Sequence, residues 1–141
     1  MHVRKMAAQV IAAATVLAGA MIGTAVPAHA AGGCWNGGFD VNSGGDYTYR
    51  AYMCHNRSGA PLWGATRDMD HPNTVVGYMY SNPSWFACRI DNGQYNGNDI
   101  HPYRWLLAQA DNGAWGWMKD TDISSETNPV PSCEDYWSGR L

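Results

Sequence analysis

The side chains that could carry acid–base chemistry are few and lie in segments typical of loops. Past residue 30 the chain has three histidines, His55, His71 and His101, and the last two directly precede proline. A histidine can serve as a general base or as a metal ligand. No HExxH, GxSxG or phosphate-loop motif surrounds any of them. Exposed loop histidines are therefore the favoured interpretation, and a small secreted hydrolase that uses them is an alternative.

The carboxylates are no better arranged for catalysis. The only two glutamates, Glu126 and Glu134, lie in the C-terminal segment, where a fixed acid–base geometry is hard to maintain. Aspartate pairs occur at 68/70 and 120/122, in turn-like sequences where aspartate commonly bonds the backbone. The oxygen-rich segment 91–99 lacks the spacing of a calcium loop, so a plain polar loop is favoured over a calcium site. We predict no catalytic residue, no metal and no cofactor.

Aromatic side chains are better candidates for a function. The chain has seven Trp and eight Tyr, all after residue 30, and this is more than a small core requires. Trp and Tyr offer large rigid areas that can stack on a peptide, a glycan or a partner protein. We expect Trp85 and Trp117 to be partly core because their neighbours are apolar. The predicted ligand-binding residues are the groove-facing aromatics Trp105, Tyr80, Trp63 and Tyr103, with polar contacts from Asp68 and Asp70.

The N-terminal thirty residues have the three parts of a secretory signal peptide. Arg4 and Lys5 precede an apolar run from Met6 to Val26, and Ala28-His29-Ala30 fits an A-x-A cleavage site. A membrane anchor is the weaker interpretation, because small residues dominate the run. We therefore predict that residues 1–30 are removed and that the protein is bacterial and extracellular, either released or associated with the cell wall.

The segment after residue 30 has the length and charge of one acidic domain. Removing Arg4 and Lys5 from the nine basic residues leaves seven, against twelve acidic ones, so the formal charge is −5. Nucleic acids and anionic membranes both require a basic surface. We expect a monomer that binds neither of them, and whose partner is a cell-wall peptide or glycan, or a secreted protein.

The cysteines predict a covalent framework. Cys34, Cys54, Cys88 and Cys133 all follow the signal segment, and an even number of cysteines in an exported chain indicates disulfides. Four cysteines allow three pairings, of which we favour Cys34–Cys54 with Cys88–Cys133. A zinc site is disfavoured because no C-x-x-C spacing occurs.

The rest of the pattern is that of short strands separated by turns. Six glycines between residues 31 and 46 indicate an irregular arm held at Cys34. Strands are predicted at 47–54, 62–67, 74–80, 85–90, 103–110 and 114–118, and no helix of convincing length is found after the signal segment. This pattern indicates an all-β fold, a small barrel or sandwich. The predicted divisions are an arm at 31–61, a barrel at 62–123 and a tail at 124–141 pinned by Cys133.

Part of this pattern resembles a known family. The sequence Tyr103-Arg104-Trp105-Leu106-Leu107-Ala108, then Asp111-Asn112-Gly113 and Gly116-Trp117-Met118, resembles the bacterial extracellular branch of the Src homology 3 (SH3) barrel. The stretch from Lys119 to Ile123 resembles the one-turn helix and closing aliphatic residue of that family, and Thr74–Met79 resembles its second strand. The resemblance covers about residues 62–123 and implies an SH3-like β-barrel.

The resemblance also implies a ligand groove. Trp105 stands where the family has its groove tryptophan, and Trp117 matches an aromatic residue near that groove. Lys119 and Asp122 replace the Pro and Tyr of members that bind proline-rich peptides, which argues against that ligand class. We predict a secreted, non-catalytic binding module for cell-wall peptide, peptidoglycan or an extracellular protein. Alternatives are an inhibitor or partner of a secreted hydrolase, and a small hydrolase.

Overall fold

The computed structural model describes residues 32–64 and 74–141. The predicted signal segment and the loop that carries Asp68 and Asp70 lie outside these residues. Strands form where residues alternate between buried and exposed positions, and the turns between them are rich in Gly, Asn and Pro. The elements are β1 Trp35–Asn42, β2 Thr48–Cys54, β3 Ala60–Gly64, β4 Thr74–Met79, β5 Ser84–Phe86, β6 Cys88–Ile90, β7 Trp105–Gln109, β8 Trp115–Lys119, a 3₁₀ turn at Asp120–Asp122 and α1 Cys133–Trp137.

The strands form two antiparallel sheets that share one bent segment. The first sheet has the order β1-β2-β5 and the second has the order β4-β3-β8-β7-β6. β5 pairs with β2 and β6 pairs with β7, while Ala87 between them donates its amide to the Leu107 carbonyl at 2.8 Å. The all-β prediction is confirmed. Both sheets are open over the described residues, so the predicted closed barrel is not observed.

Alternation along β7 divides the interior into two cores. Leu106 and Ala108 face the first core, whereas Trp105 and Leu107 face the second. The first core is mainly aliphatic; it comprises Cys34, Cys54, Ala60, Leu62, Met79, Phe86, Leu106, Ala108, Ala110, Met118, Ile123 and Val130. The second core is aromatic; it comprises Tyr49, Ala87, Cys88, Ile90, Trp105, Trp117, Cys133 and Tyr136, with Trp63, Trp85, Trp115 and Trp137 partly buried against it.

The glycine-rich N-terminal segment is ordered, and the prediction of an irregular arm is wrong. Residues 35–42 form β1, which pairs with β2 along the edge of the first sheet. An edge strand needs backbone partners on one side only, and few of its side chains must pack. Glycine also suits the irregularity between Asn36 and Asp40, because Gly38 there adopts a φ of 80° that other residues rarely tolerate.

Two disulfides fasten the chain ends to this framework. Cys34 is joined to Cys54 and Cys88 to Cys133, so the predicted pairing is confirmed. Such bonds are typical of oxidising, extracellular surroundings. The tail also contains α1, which the sequence analysis missed because five residues are too few to display a helical period. Within residues 32–64 and 74–141 no helix is long and apolar enough to cross a membrane.

Candidate functional site

Trp105 is buried, contrary to the prediction that it faces a ligand groove. Its side chain has no exposed surface, and its indole Nε1 donates to the Gln94 carbonyl at 2.7 Å. The loop of residues 91–104 folds back over the start of β7 and provides this acceptor, so the indole is enclosed. Buried Trp side chains typically need such a partner for the N–H group. Trp105 is therefore a core residue that supports the surface above it.

Lys119 connects Trp105 with another predicted site residue, Trp63. Trp105 and Lys119 are cross-strand partners on β7 and β8, and Trp63 of β3 pairs with Trp117 of β8. The Lys119 ammonium lies 5.3 Å from the ring centre of Trp63 and 5.7 Å from that of Trp105. Both distances fall within the range of cation–π attraction. The lysine thus covers the junction of the two indoles on the aromatic side of the second sheet.

Tyr95 and Tyr103 form an exposed pair beside these residues. Their rings meet edge to face at 6.3 Å, and the residues are 58% and 51% exposed. Tyr103 precedes Trp105 by two residues, and Tyr95 follows Gln94, the acceptor for Trp105. The pair therefore adjoins the indole–lysine group. We call Tyr95, Tyr103, Trp105, Lys119 and Trp63 the aromatic strip.

The loop that presents the two tyrosines is held by buried amide groups. Asn96 is almost fully buried, and its Nδ2 donates to the carbonyls of His101 and Arg104 at 2.9 and 2.6 Å. The Tyr103 carbonyl accepts from the Gly93 amide at 2.9 Å. Bonds across the base of a loop restrict its backbone, so the tyrosines are exposed on a defined surface.

Tyr80 lies away from the strip. Its backbone amide donates to the Asp111 carboxylate at 3.0 Å, and its ring pairs with that of Tyr78 at 6.3 Å between centres. Asp111 follows the C-terminal end of β7, whereas Tyr103 precedes its N-terminal end. A strand of five residues spans roughly 13 Å at about 3.3 Å per residue. The structure thus brings Trp63 and Trp105 together at Lys119, places Tyr103 two residues before Trp105 beside Tyr95, and separates Tyr80 from them. Asp68 and Asp70 lie outside the described residues.

A polar cluster forms where His101 and Asn98 of the loop of residues 91–104 meet Asp120 and the tail. His101 Nδ1 lies 3.2 Å from Asp120 Oδ2, and His101 Nε2 lies 3.7 Å from Glu126 Oε1. The buried Asp120 carboxylate also accepts from Thr127 at 2.6 Å and from Asn98 at 2.7 Å. These groups line a cavity of about 50 Å³, next to an open depression of about 460 Å³ that is also lined by Ile100.

A buried arginine, Arg104, ties this cluster to the rest of the loop. Arg104 Nε lies 2.5 Å from Asp91, and its Nη1 donates to the Thr127 hydroxyl at 2.9 Å. Burial lowers the pKa of Arg104, and the nearby carboxylates of Asp120 and Glu126 oppose that shift. An arginine nevertheless remains charged. Arg104 therefore links the loop to the tail, and Thr127 in turn bonds Asp120 of the 3₁₀ turn. The sequence pattern around Arg104 gives no sign of this structural role.

The described residues contain no group of three or more His, Cys, Asp or Glu side chains placed to hold a metal ion. Sequence reasoning missed Tyr95 and Lys119 as members of the strip. Tyr95 lies in a segment whose composition indicates a plain polar loop, and the resemblance marks Lys119 only as a replacement for proline. Comparison of the chain with family models, curated proteins and solved structures finds no match.

Proposed function

We propose that the chain is a secreted, non-catalytic binding module whose aromatic strip takes a peptide presented by the cell wall or by an extracellular protein. The observation that carries this proposal is the exposed Tyr95–Tyr103 pair on a loop fixed by Asn96. Tyrosine side chains that are more than half exposed contribute little to folding. Held in place, they form a ready surface for stacking and hydrogen bonding.

Preorganisation makes such a surface effective. A ligand that docks on a mobile loop must bear the entropy cost of ordering it, and a fixed loop avoids this cost. The strip has a further anchor because Trp105, its fully buried member, bonds the loop backbone. Two disulfides limit movement of the framework. They are also the observation that supports secretion, since such bonds persist in oxidising compartments.

We further infer that residues 62–123 are related in architecture to the SH3 barrel. The support is the order of elements: β3 and β4 precede the β7–β8 hairpin, which leads into a 3₁₀ turn and then Ile123. In this interpretation the strip lies beside the position at which the family has its ligand groove. Lys119 stands where proline-peptide binders have Pro, so the ligand differs from theirs.

A retention experiment with paired variants tests the proposed function. Purified protein lacking residues 1–30 is incubated with insoluble peptidoglycan, with cellulose and chitin as controls, and with culture supernatant. The test variant is Tyr95→Ser/Tyr103→Ser, and its matched control is Tyr78→Ser/Tyr80→Ser, since those residues are 48% and 62% exposed and form the other surface pair. We expect wild type and control to be retained on peptidoglycan, and the test variant to be lost to the wash.

Equal retention of both variants, or no retention on peptidoglycan and no captured protein, would refute the proposal. Stoichiometric capture of one supernatant hydrolase that depends on Tyr95 and Tyr103 would instead identify an inhibitor or partner. Solubilisation of the polymer would favour a small hydrolase, provided that His101→Ala abolishes it. That second candidate is supported by the His101–Asp120 contact at the cavity, because a buried carboxylate can orient a catalytic imidazole.

A further inference from the structure

Lys119 is the exception in the charge pattern of this protein. Five arginines in the described part of the chain, Arg50, Arg57, Arg89, Arg104 and Arg140, each form an ion pair with an aspartate. Lys119 is the only lysine after residue 5. Within residues 32–64 and 74–141 its ammonium faces two indole rings, and no carboxylate is paired with it.

Indole rings attract the charge of an ammonium group but do not accept strong hydrogen bonds from it. The group has three N–H donors that require oxygen acceptors. The neighbouring Trp63 presents a further unused donor, because its Nε1 is buried without an acceptor among the described residues. Unsatisfied buried donors in native structures often mark the place of an unseen water, ion or ligand. Two donor groups without oxygen partners thus occur at the same end of the aromatic strip.

We infer that Lys119, supported by Trp63, binds a carboxylate group of the peptide ligand. This inference rests on the proposed function, and it specifies the chemistry of the ligand at the same strip. A carboxylate is the natural complement, since it offers acceptor oxygens and the opposite charge in one planar group. The apolar atoms next to the carboxylate would lie against the Trp63 ring and extend towards Tyr103.

The charge of the whole chain makes this site selective. With a formal charge of −5 after residue 30, most of the surface repels anions. Among the described residues, Lys119 is the basic side chain that has no carboxylate partner and lies beside aromatic rings, so it defines where an acidic group can bind. The attraction is partly exposed and is screened by salt. Binding through Lys119 should accordingly weaken as ionic strength rises, whereas stacking on Tyr95 and Tyr103 should not.

Three peptides separate the possible sources of the carboxylate. The probes are acetylated trialanine with a free carboxyl end, the same peptide with a carboxamide end, and an acetylated Ala-Glu-Ala carboxamide. Binding is followed by the indole N–H signals of Trp63 and Trp105 in nitrogen-15 NMR spectra. We expect either carboxylate to bind about tenfold tighter than the neutral amide, as one charge-assisted bond allows. The tighter of the two identifies a chain terminus or an acidic side chain.

Variants at Lys119 attribute the effect to its charge. Lys119→Met should bind all three peptides with the weak affinity of the amide, and Lys119→Arg should restore the preference. Arg140→Met is the matched control, because it removes one exposed positive charge that is paired with Asp135 and lies outside the aromatic strip. It should leave the preference intact.

Equal binding of acid and amide, lost in Tyr95→Ser/Tyr103→Ser, would overturn the carboxylate site and leave the binding module standing. Binding of none of the three peptides would also overturn it, while retention on peptidoglycan decides the proposed function separately.

Discussion

The two cores of this molecule are built from different residues and differ in how much of their side-chain surface is exposed to solvent. The first core is closed: Leu62, Phe86, Leu106 and Met118 have no exposed surface, and among the described residues two side chains, Tyr52 and Val76, pack against it from partly buried positions. The second core contains six of the seven tryptophans, and four of these are only partly buried. Its aromatic side chains therefore continue to the surface, where Lys119 and the tyrosine pair lie.

The difference indicates a division of roles between the two sides of the second sheet. Aliphatic side chains pack closely and carry no group that needs a hydrogen-bond partner, which suits a core whose role is to stabilise the fold. Tryptophans carry an N–H group and a ring face that remain useful at a surface. The partly open second core can therefore stabilise the fold and also provide the binding strip, while the first core holds the sheet that presents it.

Fully buried tryptophans of the second core should contribute more to the free energy of unfolding than partly buried ones. We expect Trp105→Ala to lower the free energy of unfolding by about 3–5 kcal/mol, because it removes a fully buried ring and leaves the Gln94 carbonyl without its donor. Trp115→Ala should cost about half as much, since the Trp115 ring is partly exposed and packs edge to face on Trp85 at 5.4 Å. Urea unfolding of the two variants measures the difference.

Phe86→Ala is the control from the first core. Its side chain is fully buried, so its loss should match that of Trp105→Ala within about 1 kcal/mol. A Trp105→Ala variant that retained wild-type stability would show that the indole is not enclosed, and the strip would have to be redrawn with Trp105 as a contact residue.

Each core also has its own disulfide, and removing each in turn measures how much each core depends on its covalent link. Cys88–Cys133 closes a separation of 45 residues and Cys34–Cys54 closes 20. On the chain-entropy account the longer loop contributes about 4 kcal/mol and the shorter about 3 kcal/mol. We expect Cys88→Ala/Cys133→Ala to lower the unfolding free energy more than Cys34→Ala/Cys54→Ala, as measured by chemical denaturation. A reversed order would indicate that the N-terminal hairpin stabilises the fold more than its position at a sheet edge suggests.

Local patterns in the sequence predicted the strands, because alternation of side chains and turn residues act over a few positions. β2, β4 and β8 lie within two residues of their predicted ends, and the disulfide pairing is as predicted. β1 was missed because its glycines disfavour a strand in isolation, and pairing with β2 overcomes that preference. The short α1 was missed for lack of length.

The binding surface was harder to predict because it depends on contacts between distant segments. The sequence marks aromatic residues as a group, but a tryptophan at a groove position and one inside a core look alike. The loop of residues 91–104 decides the matter by covering Trp105. Tyr95 belongs to the strip only because that loop folds back, and Lys119 only because three strands place it over Trp63. Neither relation has a local signature.

The smallest expected effect concerns a single hydroxyl at the base of the second core. Burial raises the pKa of Tyr136 above its usual value of 10.0, although the hydrogen bond from the Arg50 amide at 3.1 Å opposes the shift. The folded state therefore holds this proton more tightly than the unfolded chain does. Its stabilisation is present below pH 10 and decreases as the pH rises through the folded-state pKa.

We expect Tyr136→Phe to cost about 1 kcal/mol at neutral pH, the contribution of one hydrogen bond, and to flatten the loss of stability above pH 10. Denaturation at pH 7 and pH 10.5 measures both effects. Tyr80→Phe is the matched control, because its ring is 62% exposed and no core packs around it, so the pH dependence should remain that of wild type. If Tyr136→Phe lost as much stability above pH 10 as wild type does, the loss would come from ionisation of another group. An unchanged stability of this variant at pH 7 would show that the Tyr136 hydroxyl does not help to hold α1 against the β1–β2 hairpin.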